Sequence, residues 1–193
     1  MDGSAPDYRP HRFTVSDYHR MADAGILDED SRVEPIRGQV IDMTAIGSPH
    51  LAMVNRLTRL LAAATAGRGT LSIQNPVRLD DGSEPQPDVA NIRPRADDYE
   101  TATPGPGDVL LLIEVSDSTL RYDRNVKIPI YAESGVSERW LVDLAGRVVE
   151  VCRRPGGGRY AETRRVGPQG ALDIEALPGA ALAAANLFRP AEG

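Results

Sequence analysis

The chain has 193 residues, 41% hydrophobic and 26% charged, a balance that supports one compact domain and excludes disordered, collagen-like and fibrous architectures. Its formal net charge of −6 argues against a generic basic nucleic-acid binder, although acidic clusters that hold metal push the balance the same way. One cysteine (Cys152) and three widely spaced histidines (His11, His19, His50) exclude an internal disulfide, a CxxC redox pair and a cysteine-based zinc site.

Residues 1–13 are polar, lack the apolar centre of a signal peptide and read as a flexible leader to a single domain over 14–193, expected in the cytoplasm. Thr14-Val15-Ser16-Asp17 offers a capping box for a short amphipathic helix carrying Tyr18, Met21, Ala22 and Ile26 and ending at Gly25. Arg32 to Pro35 and Gln39 to Met43 flank Arg37-Gly38 as a hairpin. Ser48-Pro49 is expected to cap a second helix, whose apolar face is Leu51, Val54, Leu57, Leu60 and Leu61, with Gly67 and Gly69 stopping it. Strands are expected over Thr70 to Leu79, Asp88 to Arg93 and Val109 to Val115. The last of these is apolar on both faces and far too short to span a bilayer.

A middle helix falls near Asn125 to Ser134, with Gly135 as its C-cap. Pro129 suits a first turn if Asn125 is the N-cap, and a start at Leu120 requires a kink. Arg139 to Asp143 and Arg147 to Cys152 pair around Ala145-Gly146, a further strand follows near Tyr160 to Val166, and Ala180 to Phe188 reads either way. The central order is helix, three strands, helix, strand. That is an α/β (α+β) sheet covered by helices, with an N-terminal helix and hairpin and a C-terminal hairpin extending it.

Several common sites are missing. The chain has no Gly-Lys-Ser/Thr phosphate loop and no GxSxG elbow. Gly156-Gly157-Gly158-Arg159-Tyr160-Ala161 matches GxGxxA formally, but it lies between two strands and reads as a hairpin loop. Of the 22 basic residues only Lys127 is a lysine; it is either residual or placed where a compact ammonium works and a planar guanidinium does not.

Two carboxylates stand out. Glu114 interrupts the most apolar strand, where its desolvation is costly unless a cation or dense hydrogen bonding meets it, an arginine partner being the ordinary reading. Asp88 follows Pro87 at the start of the preceding strand, a position that also suits an ordinary turn residue. If the two strands pair, both acids reach one point, and hard-oxygen ligation there suits Mg²⁺ or Mn²⁺.

Pro87-Asp88 followed by Glu114-Val115-Ser116 resembles the PD-(D/E)XK nuclease signature, with Ser116 standing where the usual lysine falls. Together with Val33-Glu34, Gly38, His50, Glu114 to Thr119, Asp123, Lys127, Tyr131 to Val136 and Trp140 to Asp143, the chain resembles the Uma2 (DUF820) family over about residues 14–152. The resemblance implies a restriction-endonuclease-like core of order α-β-β-β-α-β and a Mg²⁺-dependent endonuclease acting on DNA as a homodimer, with Lys127 standing in for the displaced lysine. Asp88, Glu114 and the Val115 carbonyl would then hold the metal. Lys127 would orient or help deprotonate the attacking water, or neutralise developing negative charge, its compact ammonium being able to lose a proton when the site is desolvated. Glu34 follows as a third acid, His50 as an accessory, and Arg78, Arg93, Arg121 and Arg124 as phosphate-positioning residues. The competing expectations are a catalytically inactive module binding nucleic acid or protein on the same fold, and a small-molecule phosphohydrolase with a closed pocket.

Overall fold

The computed structural model describes residues 9–28, 30–117 and 119–188; residues 1–8 of the expected leader, Ser118 of the motif string and the last five residues lie outside it. The described end of the leader packs against the first hairpin, with the Phe13 amide donating to the Gly38 carbonyl at 3.0 Å. The capping box forms as expected at helix α1 (Val15–Asp23), Thr14 and Asp17 exchanging side-chain-to-backbone bonds of 2.9 and 3.0 Å. Strands β1 (Val33–Ile36) and β2 (Gln39–Asp42) make a separate antiparallel hairpin. Arg37 and Gly38 both take positive φ at its turn, as a two-residue primed turn requires.

Helix α2 (Ser48–Thr65) begins one residue earlier than a Ser48 cap would place it. Gly47 is the N-cap, with no side chain to offer, and Pro49 sits in the first turn where its missing N–H costs nothing.

A six-stranded sheet follows, in the order β3 (Thr70–Ile73), β4 (Val89–Ile92), β5 (Val109–Ser116), β6 (Glu138–Asp143), β7 (Val148–Gly156) and β8 (Arg159–Val166). Only β5 and β6 run parallel, which demands the helical crossover between them; the other neighbours are antiparallel. Strands β9 (Ala171–Asp173) and β10 (Ala181–Ala183) form a small hairpin beside the sheet and resolve the ambiguous C-terminal stretch.

The strand expected over Thr70 to Leu79 stops at Ile73. Gln74 takes a positive φ and Pro76 cannot donate to a ladder, so the chain folds back on itself, with Val77 bonded to the Pro85 carbonyl and Leu79 to that of Ser83. The Gly157-Gly158 pair, both at positive φ, closes the β7–β8 hairpin, as expected for the glycine run.

The middle helix adopts the longer of the two expected spans. Helix α3 (Leu120–Tyr122) continues through a π-helical turn (Asp123–Lys127) into α4 (Ile128–Ser134), which Gly135 ends in a left-handed conformation. The Ile128 amide donates to the Asp123 carbonyl, five residues back. That widened turn absorbs the N–H that Pro129 lacks, so the helix bulges where a sharp kink was the alternative. Such bulges are frequent at functional positions, and Lys127 lies on this one.

Period-two alternation divides the sheet into two faces. On one, Leu111, Ile113, Val115, Trp140 and Val142 pack against Met53, Val54, Leu57 and Leu61 of α2 and against Leu172, Ile174 and Leu187 from the C-terminal segment. Burying each large apolar side chain contributes roughly 1.5–3 kcal/mol, and this face is the main core. The other face carries Leu112, Glu114 and Ser116 of β5 beneath the α3–α4 segment, with Ile130, Tyr131 and Val136 closing over it. Every residue of β5 is buried, so Glu114 is enclosed by a strand that the apolar sequence places at the centre.

Candidate active site

The β4–β5 register aligns Val89 with Ile113, so Asp88 and Glu114 are the next opposed pair and project to the same face. Pro87 precedes Asp88 and fixes its approach. The carboxylate is then held from three directions. Its Oδ2 accepts the Val115 amide at 2.8 Å and meets His50 Nε2 at 3.0 Å, and its Oδ1 accepts the Gln74 side-chain amide at 3.3 Å. The fold-back of 74–88 supplies Gln74, and the first turn of α2 supplies His50.

Lys127 reaches this point from the π turn. Its Nζ lies 3.1 Å from Glu114 Oε1 and 3.1 Å from Glu34 Oε1, with all three side chains at least nine-tenths buried. The Tyr131 hydroxyl donates to the same Glu114 oxygen at 2.7 Å. Glu34 comes from β1, and its second oxygen accepts the Gln86 amide at 3.0 Å. Both Glu34 oxygens are therefore engaged, one of them on the ammonium. Ser116 lies on the Glu114 face but contributes no cation there.

The electrostatics follow from enclosure. Burial pushes the Glu114 carboxyl from an ordinary 4.5 up to about 7; Lys127 pulls it down, while Asp88, Asp123 and Glu34 push it further up. Burial alone would lower the Lys127 pKa. Glu114, Glu34 and Asp123 together outweigh it and hold the group above its usual value, so Lys127 stays an ammonium. Of the roles expected for Lys127, orienting water and neutralising developing charge suit an ammonium, because the three carboxylates outweigh desolvation. His50 is raised, chiefly by its bond to Asp88. Burial also raises Asp123, against the opposing pull of Thr119, whose hydroxyl donates to it at 2.7 Å, and of Lys127.

These groups line a recess of about 290 Å³, bounded by the β1–β2 hairpin, the 43–47 loop, the start of α2, the end of β5 and the α3–π segment. Asp88, Glu114, Val115, Lys127, Glu34 and His50 all face it, so the residues singled out from the sequence come together. The four arginines do not. Arg78 pairs with Asp81, Arg93 bonds the Gly107 carbonyl, Arg124 pairs with Glu150 and Arg121 lies exposed on α3; none lines the recess.

Sequence reasoning missed Arg32, among the described residues the one guanidinium on the recess wall, as well as Gln74, Tyr122 and Tyr131. Tyr131 was visible as part of the motif string, four residues after Lys127; the others carried no local signal. Among the described residues, no three His, Cys, Asp or Glu side chains form a ready-made metal nest.

A family model described as "Putative restriction endonuclease", that of Uma2, matches residues 15–185. No match was found among curated proteins. The fold is similar to the crystal structure of "a putative nuclease belonging to DUF820" from Anabaena variabilis, with 18% sequence identity, coverage of 91% of this chain and 97% of that one, and a TM-score of 0.72. A family model that spans the sheet, its crossover helix and every acid around Lys127 leaves one conclusion: this chain belongs to the Uma2 family.

Proposed function

We propose that the protein is a divalent-metal-dependent endonuclease that hydrolyses phosphodiester bonds in DNA. The observation that carries this reading is the placement of Lys127 Nζ at 3.1 Å from Glu114, with Asp88 on the neighbouring strand in the same recess.

The donors suit a hard cation. They are all oxygens, and Glu34, Asp88, Glu114 and Asp123 face a recess that holds one ammonium, a surplus of negative charge that a divalent ion offsets. Mg²⁺ keeps several waters and takes one or two carboxylates plus substrate phosphate, so two acids and the Val115 carbonyl are enough. Bound there, the metal would acidify a water and polarise the scissile phosphate.

The chain's own residues do the rest. Hydrolysis joins the water oxygen to phosphorus and expels one ester oxygen as an alcohol. Lys127, fixed as a cation with two of its N–H groups on Glu34 and Glu114, has one N–H left to donate toward the attacking water, and its charge stabilises the charge that builds on the phosphoryl oxygens. Glu34 anchors that ammonium. Tyr131 holds the Glu114 carboxylate in one orientation, and Val115, Gln74 and His50 do the same for Asp88. All of these side chains come from one chain, so the expected homodimer is not needed to complete the site.

The test is cleavage of circular plasmid and circular single-stranded DNA with Mg²⁺ or Mn²⁺. Asp88→Ala, Glu114→Ala and Lys127→Ala should each abolish it while circular dichroism stays unchanged. Undiminished cleavage by all three purified variants would overturn this site, and no cleavage by the wild type would favour the inactive-module alternative.

A further inference from the structure

The recess differs from a groove built for duplex DNA in three respects. Its volume, about 290 Å³, lies at the small end of small-molecule clefts, and the groups that must meet the phosphate are buried: the side chains of Asp88 and Glu114 are 13% and 4% exposed. A phosphodiester must therefore enter the recess, which a flexible strand does freely, whereas a stacked, paired backbone must be bent or distorted to reach in.

The charge on its walls is also wrong for a duplex track. Glu34, Asp42, Asp88, Glu114, Asp117 and Asp123 face it against Arg32 and Lys127. Duplex binders neutralise a rod carrying one charge per about 1.7 Å with rows of Lys and Arg. Among the described residues Arg32 and Lys127 are the cations that line the recess, Arg78, Arg93 and Arg124 are committed elsewhere, and Arg121 lies exposed on α3 outside the lining.

Within the recess, the buried Tyr122 hydroxyl has no hydrogen-bond partner, and neither has His50 Nδ1. A buried polar atom left unpaired is costly, and two on the wall of one recess mark where a ligand's polar atoms belong. Burial keeps the Tyr122 phenol protonated, so it is available as a donor. The lining also includes Ile41, Met43 and Ile46, the last 37% exposed, as apolar surface against which an unstacked sugar or base can lie.

We infer that the recess accepts a single unpaired DNA strand, one nucleotide deep, and that the Tyr122 hydroxyl is one of its contacts; this rests on the nuclease reading above. Initial rates are compared on one 5′-labelled oligonucleotide, alone and annealed to its complement, with Mg²⁺ or Mn²⁺ at fixed salt. The unpaired strand should be cut at least about tenfold faster. Tyr122→Phe should raise KM for it about three- to tenfold, the worth of one hydrogen bond, with kcat nearly unchanged and the melting temperature unchanged or raised, because the variant removes a buried unpaired hydroxyl. Equal or faster cleavage of the duplex overturns the inference while leaving the nuclease assignment intact. An unchanged KM in Tyr122→Phe removes the tyrosine contact, and cleavage of neither substrate overturns both readings.

Discussion

Glu114 makes a prediction that separates function from stability. In the folded protein its carboxyl titrates at about 7, against 4.5 when exposed. Below pH 4.5 the acid is protonated in both states and costs nothing. Between 4.5 and 7 the unfolded chain releases its proton while the folded chain keeps it, so stability falls as pH rises. Above 7 the full penalty applies, and at 1.36 kcal/mol per pH unit it amounts to about 3 kcal/mol. The attraction of Lys127 is already included in that figure.

Gln is a neutral stand-in for the protonated acid. In metal-free buffer with chelator, Glu114→Gln should therefore match the wild type at pH 4.5 and exceed its unfolding free energy by up to about 3 kcal/mol at pH 8, while losing cleavage activity. Urea denaturation at the two pH values measures this directly. A variant less stable than the wild type at pH 8 would refute the reasoning, because it would mean that Lys127 more than compensates the burial of the charge.

Lys127→Arg retains the charge but brings a planar fork into a pocket shaped around a point ammonium with two carboxylates at 3.1 Å; cleavage should fall at least about a hundredfold, measured against the wild type at saturating Mg²⁺. Tyr131→Phe removes the 2.7 Å bond to Glu114 and should cost about 1.5–3 kcal/mol in urea at pH 8, with a smaller loss at pH 4.5, where the acid is neutral. Leu57→Ala empties a fully buried position between α2 and the sheet; a loss of about 2–5 kcal/mol is expected by thermal or chemical melting, and a loss under about 1 kcal/mol would place the core elsewhere. Pro129→Ala restores an N–H that can close a regular helix, so the π turn should relax and move Lys127; activity should drop with stability unchanged or higher, and full activity would show that the bulge has another cause.

Much of this molecule could be read locally. The Thr14–Asp17 box, the Arg37-Gly38 and glycine-run turns, the Leu-rich face of α2 and the apolar β5 each depend on neighbours within a few residues, where periodicity and turn chemistry act. The prominence of Glu114 and Lys127 also came from the chain alone, one as a charge in an apolar strand and the other as a lone lysine among arginines. Misplacements arose where longer-range contacts intervened. The strand expected through Leu79 gave way to a loop closed by Pro85 and Ser83, and the Pro129 conflict was resolved by a widened turn that propensity does not anticipate.

Residue types and spacing thus determined the order of elements, the central buried strand and which ionisable groups were out of place. Only the tertiary structure decided their partners. Glu34, from a separate hairpin, became the second counter-ion of Lys127; Gln74 and His50 came to grip Asp88; and Arg78, Arg93 and Arg124, three of the arginines expected on phosphate, bond elsewhere. The protonation states followed in turn, because a pKa depends on the sum of charges within a few ångströms and on the water excluded around them. Those distances are set by the packing of β1, β5, α2 and the π turn, which no short stretch of sequence encodes.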